Sequence, residues 1–99
     1  MGLRRRDRIV VVPDSEWHDY APGDLIEIDS TRKFPTVLRK GPGYTFLTVA
    51  PIEPGQLGLV LQRHLGHSSI YWLLLIGPDG VIGWIPETMA NYVKQQYLM

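Results

Sequence analysis

The chain contains no cysteine. That excludes a disulfide framework, a thiol nucleophile and a thiolate metal site. It also lacks an excess of charge of either sign: ten basic and ten acidic side chains among 99 residues give a formal net charge of zero. Neutralising a nucleic-acid backbone takes a basic face, so nucleic acid is not an expected partner except through Arg4, Arg5, Arg6 and Arg8, which crowd the N-terminus. A solvated tail is the plainer reading of that run. No apolar stretch approaches membrane-spanning length. Residues 9–12 are too short for the apolar core of a signal peptide, so we expect synthesis in a cytoplasm and no membrane association. Segments with helical spacing are scarce as well. Ten Gly and eight Pro in so short a chain instead point to many short strands joined by tight turns, built into one domain.

What the sequence does have is centred on residues 71–86. Tyr71-Trp72-Leu73-Leu74-Leu75-Ile76 and Val81-Ile82-Gly83-Trp84-Ile85-Pro86 flank Gly77-Pro78-Asp79-Gly80. Pro sets the first corner of a turn, Asp can bond the chain ahead of it and Gly accepts positive φ, so a hairpin is expected. The near-continuous apolar character of residues 70–76 suggests burial on both faces, or one face covered by a partner.

Upstream, Ile9-Val10-Val11-Val12 reads as a strand ended by Pro13, and residues 14–20 as a loop. Ala21-Pro22-Gly23-Asp24 is a turn before a strand at Leu25-Ile26-Glu27-Ile28, with Ile26 and Ile28 on one face. Thr36-Val37-Leu38-Arg39 is a short strand broken by Gly41-Pro42-Gly43, and residues 44–50 resume extended structure. Beyond a turn at 51–55, residues 56–63 alternate strictly. Leu57, Leu59 and Leu61 face one way, and Gly58, Val60 and Gln62 the other. Residues 64–69 read as a polar loop. The C-terminus allows two readings. Met89, Tyr92, Val93 and Tyr97 have near-helical spacing. Alternatively a 3₁₀ turn at 87–90 precedes a last strand at 91–94, which we prefer because Tyr92-Val93 would close a barrel.

From residue 36 to residue 94 the chain resembles bacterial SH3 domains. Arg39-Lys40-Gly41-Pro42 supplies their arginine-glycine-proline motif, and Gly55 opens the next strand at the matching distance. Trp72 begins the tryptophan strand, Gly80, Gly83 and Trp84 follow, and Tyr92-Val93 ends the pattern. The connection before Trp72 is long, Met89-Ala90-Asn91 looks like an insertion, and residues 1–35 fall outside the pattern. Gly83-Trp84-Ile85-Pro86 with Asn91-Tyr92-Val93 is also similar to the eukaryotic SH3 signature, but its opening motif and acidic loop are missing. The resemblance implies an all-β, SH3-like partly open barrel of five to seven short strands over residues 36–99. Residues 1–35 would be an N-terminal arm with accessory strands, and a short 3₁₀ or helical segment would lie near the C-terminus. It further implies interaction work. Such domains occur in cell-wall-targeting proteins and in bacteriophage virion and lysis proteins.

The candidate binding residues are aromatic. A small barrel cannot bury Tyr44, Phe46, Tyr71, Trp72, Trp84 and Tyr92 in one core, so some are expected on a binding platform with Pro86. The competing reading makes Trp72 and Trp84 packing residues. No catalytic residue, cofactor or metal is assigned. His64 and His67 lack a third ligand nearby. His18 with Asp14, Glu16 and Asp19 reads as solvated charge, and Ser15, Ser30, Ser68 and Ser69 lack the context of a nucleophile elbow. Residues 39–43 lack the glycine spacing and lysine-serine ending of a phosphate loop. The expected function is therefore non-enzymatic: a protein–protein assembly module, with a bacteriophage virion as its setting. The alternative is a cell-wall or short-peptide groove lined by Tyr44, Trp72, Trp84 and Tyr92.

Overall fold

The structure is a computed structural model and describes residues 8–11, 19–31, 33, 35–66 and 69–96. Eight strands follow in chain order: β1 (Arg8–Val11), β2 (Leu25–Ile28), β3 (Thr36–Arg39), β4 (Thr48–Ile52), β5 (Leu57–Leu65), β6 (Tyr71–Ile76), β7 (Ile82–Pro86) and β8 (Ala90–Gln96). They form one antiparallel sheet in the order β1-β8-β2-β5-β6-β7-β3-β4. The class is all-β, as expected. Among the described residues no helix is long and apolar enough to cross a membrane.

The β6–β7 hairpin forms where the turn residues place it. Pro78–Gly80 makes a 3₁₀ turn. Asp79 (φ 63°) and Gly80 (φ 75°) both take the left-handed conformation that Asp tolerates and Gly adopts freely. A second 3₁₀ turn at Glu87–Met89 leads into β8, so of the two C-terminal readings the strand is the one found.

The sheet wraps around one core. Ile26 and Ile28 from β2, Leu38 from β3, Ile52 from β4, Val60 from β5, Leu73 and Leu75 from β6, Ile85 from β7 and Ala90 from β8 form a single buried cluster. Each large aliphatic side chain buried this way contributes about 1.5–3 kcal/mol. β1 and β4 are the two ends of the strand order, so the wrapped sheet stays open.

From the N-terminal third, β2 and Tyr20 join this body. β2 lies between β8 and β5. The turn before it is tied to β5 by Gly23 N–H donating to Val60 O and Val60 N–H donating to Asp24 O, both at 2.8 Å. Tyr20 is buried in the core, and its hydroxyl donates to Ala90 O at 3.2 Å.

One open point of the sequence reading is resolved and one expectation is corrected. The alternation at residues 56–63 is real, and its Leu face is the outer one. Leu57 and Leu59 are 42% and 40% exposed, while Gly58 and Val60 are buried. Inside, Ile26 and Leu75 already crowd Gly58: a Cβ there would meet Leu75 at 3.3 Å and Ile26 at 3.7 Å. A bulge between Val60 and Gln62 then resets the register, so Leu61 does not continue the row. Second, residues 44–47 are a loop, and β4 begins only at Thr48.

Candidate functional site

The register of β5, β6 and β7 sorts the aromatic candidates onto opposite faces. Neighbouring residues in a strand point to opposite sides. Leu73 and Leu75 face the core, so Tyr71 lies on their side, and Trp72 and Leu74 lie on the outer side. His64 is paired with Trp72, and Leu74 with Trp84, which puts all four on the outer face. Tyr71 and Trp72 therefore cannot belong to one platform.

Trp72 is nevertheless only 1% exposed. The β3–β4 loop folds back over it. Arg39 organises that loop, because its Nη1 donates to both Tyr44 O and Phe46 O at 3.0 Å. The guanidinium also lies 5.5 Å from the centre of the Tyr44 ring. Tyr44 packs edge-on against Trp72, with ring centroids 4.9 Å apart. Gly41 makes room for Phe46, since a Cβ there would sit 2.4 Å from the Phe46 ring. The apolar outer side of β6 is thus covered at Trp72 by the chain's own loop. Trp72 Nε1 is buried without a hydrogen-bond partner. The Trp72 edge that carries it lies under Gly66, where a Cβ would be 2.7 Å from Trp72 Cδ1 and 2.5 Å from Pro42 O.

Between this loop and the β5–β6 connection runs a groove of about 420 Å³, lined by Pro42, Phe46, His64, Leu65 and Gly66. Of the predicted site residues only Phe46 lines it. Tyr44 and Trp72 support its wall and floor, and Trp84 reaches its edge through an edge-on contact with His64 at 6.1 Å. Pro86 is buried. Tyr92 packs against Tyr20, with centroids 6.3 Å apart, away from these residues. Sequence reasoning missed Pro42, Leu65 and Gly66 as lining residues, and it treated His64 only as a metal candidate. The available signal was the pair of glycine-marked breaks at 41–43 and 66, which flank Trp72 once the hairpins are paired.

Tyr71 belongs to a second cluster on the inner-facing side, at the barrel end. The Arg63 guanidinium carbon lies 3.6 Å from the centre of the Tyr71 ring. Arg63 Nε donates to Glu87 Oε1 at 2.6 Å and Nη2 to Glu87 Oε2 at 3.3 Å, while Nη1 pairs with Asp19. This ties β5, β6, the 3₁₀ turn before β8 and the segment before β2. The hydrogen bond to Glu87 is the main cause that holds the Arg63 pKa above its ordinary value, with Asp19 adding to it against partial desolvation. A base raised this way stabilises the fold at every pH below its unfolded pKa, and the effect is lost only as pH rises through the folded value. Arg63→Ala should therefore cost about 2 kcal/mol. The cost should be equal at about pH 7 and pH 9 in urea unfolding. Arg63→Lys keeps the charge, loses the two-pronged bond, and should recover less than half. A cost that disappears at the higher pH would contradict this assignment.

Several sequence candidates fall outside the described residues: Arg4, Arg5, Arg6, Asp14, Glu16, His18, His67 and Ser68. Among the described residues no three His, Cys, Asp or Glu side chains are grouped to hold a metal ion. Comparison of the chain with protein-family models, curated proteins and solved structures finds no match.

Proposed function

We propose that the chain is a non-enzymatic protein–protein interaction module of SH3-like build. It would be a structural component of a larger assembly such as a bacteriophage virion, and it would hold an extended segment of another chain in the groove over Trp72. The carrying observation is the groove itself: a mostly apolar cleft between two loops, seated on a three-strand meander. Among the described residues its only titratable lining residue is His64, whose ring neighbour is Trp84. That favours recognition over acid–base chemistry. The SH3-like build is supported by chain order. β5, β6 and β7 run consecutively, the β3–β4 hairpin is inserted in the connection from β2 to β5, and a 3₁₀ turn returns the chain through β8 to the side of β2.

The test is selection of linear peptides on the immobilised protein, followed by NMR titration. Bound peptides should shift the amides of residues 43, 46 and 64–66. Phe46→Ala and Leu65→Asp should each weaken binding by about 30-fold while leaving the thermal transition in place. Shifts confined to other strands would sink the proposal. Purified cell-wall fragments form a second arm: shifts in the same groove with wall peptides, and none with linear peptides, would favour wall recognition instead.

A further inference from the structure

The chain is neutral overall, but its charges are not evenly mixed. Between Asp29 and Asp79 the sequence holds one acidic residue, Glu53, against Arg32, Lys33, Arg39, Lys40 and Arg63. Both walls of the groove come from this stretch. Glu53 lies in the turn that leads into β5, where Gln56 N–H donates to Glu53 O at 3.1 Å. The groove is at the opposite end of β5, at His64, Leu65 and Gly66. Asp79 lies in the turn beyond the last residue of β6, whereas Trp72 is near the first. Glu87 and Asp19 come closer, because Glu87 follows the Pro86 that pairs with Trp72. Both carboxylates are held by Arg63 on the inner-facing side of the sheet.

Basic groups remain at the groove. His64 lines it. The Arg39 Nη1 that donates to the lining residue Phe46 places the guanidinium behind the groove wall. Among the described residues, Arg39 Nε and Nη2 have no hydrogen-bond partner and no carboxylate pairs with the group. Lys40 follows at the neck of the same loop, its backbone N–H donating to Leu47 O at 2.9 Å. It is exposed and forms no ion pair among the described residues.

We infer that the segment held in the groove carries an acidic side chain beside the apolar one it buries. This rests on the reading of the groove as a peptide site. Pro42, Phe46 and Leu65 supply the apolar cleft. A carboxylate at its margin meets the charges of Arg39 and Lys40, with no carboxylate of the chain's own to repel it. A basic segment would meet only like charge there. Two fixed cations are too few for a nucleic-acid strand, which calls for a charge at each phosphate.

Random linear peptides selected on the immobilised protein should be enriched in Asp or Glu next to apolar residues. In synthetic copies, exchanging that acid for its amide should weaken binding about fivefold at low salt. The difference should shrink when salt is raised to about 0.5 M. His64→Glu and Lys40→Glu should each weaken the acidic peptides about tenfold. Each should also bind copies with Lys in place of the acid more tightly than the parent protein does, with an unchanged melting transition. Selected peptides that shift the amides of residues 43, 46 and 64–66 but show no acidic preference would overturn the inference and leave the groove reading in place. Shifts confined to other strands would remove both. A single-stranded oligothymidylate that shifts the same amides and displaces the selected peptides would overturn the inference in favour of a nucleic-acid strand.

Discussion

Trp72→Ala should lower the stability of the fold by about 3–5 kcal/mol, the largest loss expected from a single truncation here. Trp72 is 1% exposed, the largest fully buried side chain among the described residues, and it lies outside the main core cluster. It fills a second, smaller core between the β5–β6–β7 meander and the β3–β4 loop. Its removal leaves Tyr44 without its ring partner and the loop without a floor. A domain of this size has about 5–15 kcal/mol in total, so the variant would be close to unfolding at ambient temperature. Trp72→Phe separates packing from polarity. It gives up part of the ring volume but also removes an indole N–H that is buried without an acceptor, a group that costs about 1–3 kcal/mol to leave unmet. Its net cost should stay within about 1.5 kcal/mol. Urea unfolding of the three proteins checks both values. An Ala variant as stable as the parent would show that the loop does not depend on this ring.

That expectation alters how the aromatic residues are used. From sequence, Trp72 competed as a ligand contact and as a packing residue. The structure places it beneath Tyr44 and Gly66, and the proposed contacts become the groove-lining Pro42, Phe46, His64, Leu65 and Gly66. A loss of binding in Trp72→Ala would therefore report a collapsed loop rather than a lost contact.

The strongest local chemistry was legible in the sequence. Gly77-Pro78-Asp79-Gly80 specified its hairpin because the required positive φ values fall on Asp and Gly. The strand at Leu25–Ile28 was legible because Ile26 and Ile28 alternate with a partly exposed Glu27. Facing was not. Period two at residues 57–61 separates two sides of a strand without saying which is inside. The answer came from Ile26 and Leu75, distant in sequence, which pack closely against Gly58 on the inner side. Residues 44–47 were misread as strand because their composition suits one. Arg39 captures the carbonyls of Tyr44 and Phe46 and holds the segment as a loop. The groove was illegible for the same reason. Its walls come from residues 42–46 and 64–66, which meet only after β5, β6, β7 and β3 have been laid side by side.

Gly83→Ala tests that side-by-side arrangement at its tightest point. A Cβ on Gly83 would lie 2.6 Å from Leu38 Cβ, 3.2 Å from Arg39 O and 3.3 Å from Arg39 N. None of these atoms is the flexible end of a side chain, so β3 itself must move. β3 touches β7 in register only at Arg39 and Trp84, and it carries both Leu38 of the core and the arginine that holds the loop over Trp72. Displacing it would open the core and release the groove wall together. The expected cost is about 3 kcal/mol or more, a fall in Tm of at least about 12 °C. Gly80→Ala is the matched control. It meets nothing within 4 Å and is strained only by its φ of 75°, so it should cost about 1–2 kcal/mol. Thermal unfolding followed by tryptophan fluorescence measures both. Equal losses in the two variants would mean that the approach of β3 to β7 is not what makes glycine necessary at position 83.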